Sequence, residues 1–112
     1  MIRTVLEMVV RDGCQQDFER VWQSAATVAS RYPGAGLQTM LRDPEAPLRY
    51  TITADWDTRE HLAVYQQSPD RQALSAVLDH LRESATKSLH EVVAHVPAPA
   101  KEAPTKEGTA YV

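Results

Sequence analysis

The chain has 112 residues, a net charge of −3, 43% apolar and 24% charged side chains, the make-up of a single soluble globular domain with one modest core. Its positive charges are scattered, which excludes the basic footprint of a nucleic-acid binder, and no run approaches the roughly 20 apolar residues that cross a bilayer. One cysteine, Cys14, excludes an intrachain disulfide and a cysteine-built zinc site.

Met1 runs straight into a strand-like segment with no charged-then-apolar leader, so the expected location is cytoplasmic. Residues 2–10 (IRTVLEMVV) are rich in β-branched side chains and predict a strand, broken by Arg11-Asp12-Gly13. Residues 14–32 then place Phe18, Val21, Trp22, Ala25, Val28, Ala29 and Tyr32 on one helical stripe. Cys14 falls at the start of that helix and reads as an incidental thiol. Pro33-Gly34 stops the helix.

Residues 36–42 (GLQTMLR) predict a second strand and residues 48–56 (LRYTITADW) a third. The Asp43-Pro44-Glu45-Ala46-Pro47 link between them is turn chemistry and joins them as an antiparallel hairpin. Asp57 is the expected N-cap of a short helix, with Glu60 completing a capping-box pair. That helix ends near Ser68-Pro69. A further helix over 70–84 buries Leu74, Val77, Leu78 and Leu81, and residues 87–96 (KSLHEVVAHV) predict a fourth strand. From residue 97 the chain turns to Pro, Ala, Lys and Glu with little apolar content, so the expected division is a domain over 1–96 and a disordered tail over 97–112.

The order βαββααβ gives an α+β, ferredoxin-like protomer: an antiparallel four-stranded sheet with helices on one face. Strand one carries apolar residues on both sides, Val5 and Val9 against Ile2, Leu6, Met8 and Val10, so the second sheet face also calls for a cover. A second copy of the chain is the natural one, and a homodimer is expected.

This arrangement resembles the antibiotic biosynthesis monooxygenase family, whose members form dimeric α+β barrels. The likeness rests on the Pro33-Gly34 turn, the third strand ending in Trp56, Asp57-Thr58-Arg59-Glu60 opening the short helix, and Ser68-Pro69-Asp70 opening the next, and it spans about residues 2–96. LRDPEAPLRYTITADWDTREHL with HEVVAHV is most similar to the small tetracenomycin-type anthrone oxygenases of aromatic polyketide pathways. The resemblance implies oxidation of a polycyclic anthrone or naphthacenone to a quinone with O2, without metal, heme or added flavin. Of the residues those oxygenases use, Trp56 matches. Ile52 stands in place of an Asn four residues before it, Leu62 in place of a Tyr six residues after it, and Ser75 in place of an Arg. Tyr65 and Ser75 replace the Trp and His of the heme-degrading members, which disfavours heme cleavage.

Strand alternation puts Tyr50, Ile52, Ala54 and Trp56 on one face, which the resemblance turns toward the helices. His61 and Tyr65 are an i, i+4 pair on the short helix. With Trp22 they frame an expected aromatic slot for a flat substrate, completed by Gln38, Ile52, Tyr50 and Leu78. Proton removal makes such a substrate an electron-rich anion able to reduce O2 itself, so the protein supplies a base, an anion stabiliser and exclusion of water. His61 is the candidate base because imidazole titrates near neutral pH, and Trp56 the catalytic partner that stacks on the substrate or donates its N–H. Tyr65 or Gln38 is placed to hydrogen-bond a phenolate or carbonyl oxygen. His90 and His95 fall on opposite strand faces, so no metal site is expected. A polyketide cyclase, a reduced-flavin-dependent oxygenase and a non-catalytic binding subunit remain open on the same frame.

Overall fold

The structure, a computed structural model, describes residues 1–99. Seven elements follow in order: β1 (Ile2–Val10), α1 (Gln15–Ala29), β2 (Ala35–Asp43), β3 (Ala46–Trp56), α2 (Arg59–Gln66), α3 (Pro69–Leu81) and β4 (Arg82–Glu91). The four strands form one antiparallel sheet in the order β2-β3-β1-β4, the ferredoxin-like α+β arrangement.

Local chemistry explains most of the boundaries. Asp43 and Ala46 pair across a turn built on Pro44-Glu45, and the Glu45 N–H donates to Asp43 Oδ1 at 2.9 Å, an Asx-type contact that lets the hairpin close in two residues. Thr58, not Asp57, caps α2: its backbone is extended and its Oγ1 accepts from the His61 N–H at 3.1 Å. The residue three positions on is therefore His61 rather than Glu60, and its ring Nδ1 meets the Thr58 hydroxyl. Ser68 caps α3 in the same way, accepting from Arg71 N–H, with Pro69 preset in the first turn.

The last strand departs from the sequence expectation. The helix expected over 70–84 ends at Leu81, and the strand expected over 87–96 occupies Arg82–Glu91. β4 pairs with β1 from Val10↔Arg82 to Ile2↔Glu91. Beyond Glu91 there is no β1 left to pair with, and Val92 makes a last bond to the Met1 carbonyl. The first half of β4, RESATK, is polar because the strand is a solvent-facing sheet edge, where charge and polarity blunt unwanted pairing. Of the expected tail, residues 97–99 carry no regular structure; residues 100–112 lie outside the described residues.

Two packed clusters lie between the sheet and the helices. Met8, Val10, Phe18, Tyr50, Ile52 and Leu78 form one, with Trp22 and Met40 packed at its margin. Phe18 and Tyr50 meet at 5.0 Å between ring centroids. Ile2, Trp56 and Leu62 form the other, joined by Tyr32 and Tyr65. Each fully buried large side chain contributes about 1.5–3 kcal/mol of transfer free energy. On the opposite sheet face, Arg3 holds Asp55 side-on, Nε to Oδ1 at 2.6 Å and Nη2 to Oδ2 at 3.0 Å, clamping β1 to β3. Those two hydrogen bonds keep the buried Asp55 carboxyl below the usual carboxylate range.

Candidate functional site

Between α1 and the sheet edge lies a cavity of about 450 Å3. α1 contributes Glu19, Trp22 and Gln23, β2 contributes Gln38, Thr39, Met40 and Arg42, and β3 contributes Tyr50. The period of α1 explains the first set: Phe18 is fully buried in the core, so the next residue and those a turn further on flank the core and look over β2. Alternation on β2 sends Gln38, Met40 and Arg42 to the same side as Tyr50 and Ile52 on β3, as their pairing requires.

Polar groups converge here. The Tyr50 hydroxyl donates to Glu19 Oε2 at 2.5 Å, and Arg42 Nη1 donates to the same oxygen at 3.3 Å. Burial pushes the Tyr50 phenol above its ordinary pKa; the bond to Glu19 adds to this and Arg42 opposes it. Tyr50 therefore keeps its proton at neutral pH and acts as a donor. Gln38 Nε2 donates to the Ala26 carbonyl at 3.0 Å, which fixes its amide against α1. Arg42 is more than half exposed and Glu19 about one-third exposed, which places the charged pair where the cavity meets solvent.

Of the residues expected in the slot, Trp22, Gln38 and Tyr50 line this cavity. Ile52 and Leu78 are buried in the core cluster behind it. Trp56 and Tyr65 lie in the second cluster, stacked at 5.2 Å with 22° between their planes, and Tyr32 meets Tyr65 edge-on at 5.1 Å. Trp56 is 2% exposed. Burial raises the Tyr65 pKa as well; its ring borders a separate, largely apolar groove of about 390 Å3 between α1 and α3, lined by Val21, Ala25, Val28, Leu74 and Val77. His61 lines neither space. Its Nδ1 is 2.9 Å from Thr58 Oγ1, and its ring lies directly against Gly34.

Glu19, Gln23, Thr39, Met40 and Arg42 line the cavity without having been expected there, and Glu19 and Arg42 are the charged ones. Both are charged residues beside an amphipathic pattern, which reads as a solvated face, and they are 23 positions apart in the chain. The only prior signal was the β2/β3 hairpin, whose alternation puts Arg42 on the side of Tyr50. Cys14 is a free thiol, half-buried against the core. Among the described residues no cluster of His, Cys, Asp and Glu is arranged to hold a metal ion, and no helix is long and apolar enough to cross a membrane.

A βαββααβ sheet-and-helix layer with a cavity under its first helix, lined by Trp22 and by polar side chains, defines a small α+β protein of the ferredoxin-like class. The match that gives it a family covers residues 1–77, against antibiotic biosynthesis monooxygenase, and the chain belongs to that family. Solved structures repeat the fold. SnoaB of Streptomyces nogalater, a cofactor-independent oxygenase, superposes with a TM-score of 0.78 at 22% identity over 87% of this chain and 97% of that one. A Bordetella bronchiseptica protein assigned to the same family gives 0.73 at 27% identity over 83% and 97%, and one from Deinococcus radiodurans gives 0.80 at 15% identity over 89% and 100%. No protein of curated function matches the chain.

Proposed function

We propose that the chain is a monooxygenase that oxidises a flat polycyclic aromatic substrate of the anthrone or naphthacenone type to a quinone with O2, without metal or added flavin, in the cavity between α1 and the sheet. The observation that carries this reading is the cavity itself: about 450 Å3, within the usual range for small-molecule sites, with the Trp22 indole on one side and hydrogen-bonding groups on Gln38, Tyr50, Glu19 and Arg42. Family membership supports an oxygenase, and SnoaB's cofactor-independent chemistry supports the absence of a flavin.

In this reading the substrate does the redox work. Its ring CH2 is acidic because the resulting anion spreads into the ring carbonyl, and that anion reduces O2 directly. The protein holds the ring system against Trp22, offers Gln38 and Tyr50 to substrate oxygens, and keeps water from the anion. Ile52 and Leu78 shape the wall from behind, and the Trp56–Tyr65 stack fixes the far end of β3.

A homodimer is part of the same proposal. On the sheet face away from the helices Leu41 is 51% exposed, an apolar side chain that a second copy would cover. Light scattering on the eluting protein is expected to give twice the chain mass; a monomer at micromolar concentration would refute the dimer.

The test of function is oxygen consumption by purified, metal-stripped protein with a panel of polycyclic anthrones, corrected for autoxidation, with quinone absorbance followed in parallel. Uptake above the blank with a quinone band and no added flavin is expected. Uptake only with reduced flavin would change the cofactor assignment, and none under either condition would reject the oxygenase.

A further inference from the structure

We propose that Glu19 is the proton acceptor of this oxidation, with Arg42 and Tyr50 as the residues that position it. The inference rests on the oxygenase reading of the α1–sheet cavity. Glu19 is the carboxylate among the residues lining that cavity. Both of its hydrogen bonds land on one oxygen: Tyr50 Oη at 2.5 Å and Arg42 Nη1 at 3.3 Å each donate to Oε2. Among the described residues Oε1 has no protein partner. Asp17 and Asp79 also meet an arginine through one oxygen, at exposed positions along their helices, whereas Asp55 is met side-on by Arg3 through both on the other sheet face. Glu19 is held by one oxygen and presents the other. Trp22, three positions further along α1, lies on the same side of the helix and lines the same cavity, so a ring system laid on its indole sits beside that carboxylate.

The charges support the assignment. The groups that face Glu19 are Arg42 from β2 and Tyr50 from β3; Gln23 and Gln38 are neutral. When Glu19 takes a proton, its negative charge passes to the substrate enolate within the same cavity. Arg42 therefore faces one negative charge before and after the transfer, and no unpaired charge is created.

The step balances as follows. A ring C–H bond breaks, its proton goes to Glu19 Oε1, and the electron pair stays on the ring as the enolate. One electron passes to O2; the substrate radical and superoxide then join through a new C–O bond. The resulting hydroperoxide anion takes the proton back from Glu19. Glu19 removes the second proton from the same carbon, the electron pair closes a C=O bond as the O–O bond breaks, and the leaving hydroxide takes that proton as water. The sum is CH2 plus O2 giving C=O plus H2O.

Deprotonation can be measured without O2. Anaerobic exchange of the anthrone ring CH2 in D2O, followed by proton NMR and corrected for the blank, reads the base alone. Glu19→Gln keeps an acceptor for Tyr50 and is expected to lower protein-catalysed exchange by at least ~100-fold, the scale of a lost general base, while anthrone still quenches tryptophan fluorescence. Arg42→Gln and Tyr50→Phe each remove a hydrogen bond that fixes Glu19 Oε2, so each should lower the exchange rate, and Arg42→Lys should restore it. Exchange unchanged in Glu19→Gln, no exchange with the wild-type chain, or loss in His61→Ala alone would overturn the assignment. If Glu19→Gln fails to fold, Arg42→Gln and its Arg42→Lys rescue decide, and exchange unchanged in Arg42→Gln overturns it. Exchange that depends on Glu19 without O2 uptake would reject the oxygenase reading and leave the base in place.

Discussion

Gly34 closes the turn between α1 and β2 with φ +84°, and a Cβ built there would fall 2.6 Å from both Cβ and Nδ1 of His61. Gly34→Ala therefore meets two obstacles. The left-handed backbone costs an L-residue roughly 1–2 kcal/mol, offset in part by the lower entropy of the unfolded alanine chain, for a net of about 1 kcal/mol. The His61 side chain, Cβ included, must also shift away, and its ring loses the 2.9 Å contact with Thr58 Oγ1, worth about 1 kcal/mol. The sum, about 2 kcal/mol, lowers Tm by about 8–16 °C in a domain of this size. Calorimetry on Gly34→Ala, His61→Ala and the double variant measures both parts. The double variant should recover the ring's part of the collision, because the ring is gone, and retain the φ share together with the contact to the Cβ that alanine keeps at position 61. A single-variant loss below about 0.5 kcal/mol, or strictly additive effects in the double, would refute the claim that the imidazole is what reserves this position for glycine.

Asp55→Asn should destabilise the fold by about 1.5–3 kcal/mol at neutral pH, the scale of hydrogen bonds to a charged group. Because the Asp55 pKa is lowered by Arg3, the stabilisation is present above the unfolded carboxylate pKa and is lost as pH falls through that value toward the folded one. Urea titrations at stepped pH should therefore show the wild type and Asp55→Asn converging in acid, and a constant gap would refute the linkage. Trp56→Ala removes a buried ring stacked on Tyr65 and should cost about 3–5 kcal/mol, read as an earlier denaturation midpoint; Trp56→Phe should recover most of it. Deletion of residues 100–112 should leave Tm and oxygen uptake unchanged, and a large loss of either would assign that segment a role in the domain.

The sheet-facing pattern was readable because periodicity is local. Phe18 and Leu78 repeat on helical stripes, and Tyr50, Ile52 and Trp56 alternate on β3; the structure buries all five. The sequence misplaced β4 because an exposed edge strand needs no apolar alternation: RESATK pairs with β1 through its backbone, to which side-chain pattern is blind. It likewise expected Asp57 to cap α2, where Thr58 does so, since neighbouring Asp and Thr carry equal capping chemistry and only the backbone turn chooses between them.

Element order, helical and strand faces and the family likeness were thus set by the sequence alone, because each depends on neighbours within a few positions or on the succession of elements. Which polar groups share a cavity was decided only by tertiary structure. Glu19, Arg42 and Tyr50 come from α1, β2 and β3, and their meeting depends on how the helix crosses the sheet edge. The same docking leaves Trp56 stacked on Tyr65 and His61 against Gly34, away from Trp22, although spacing along the chain is equally compatible with one shared slot. Periodicity fixes the face from which a side chain projects; the helix-to-sheet packing fixes what it meets.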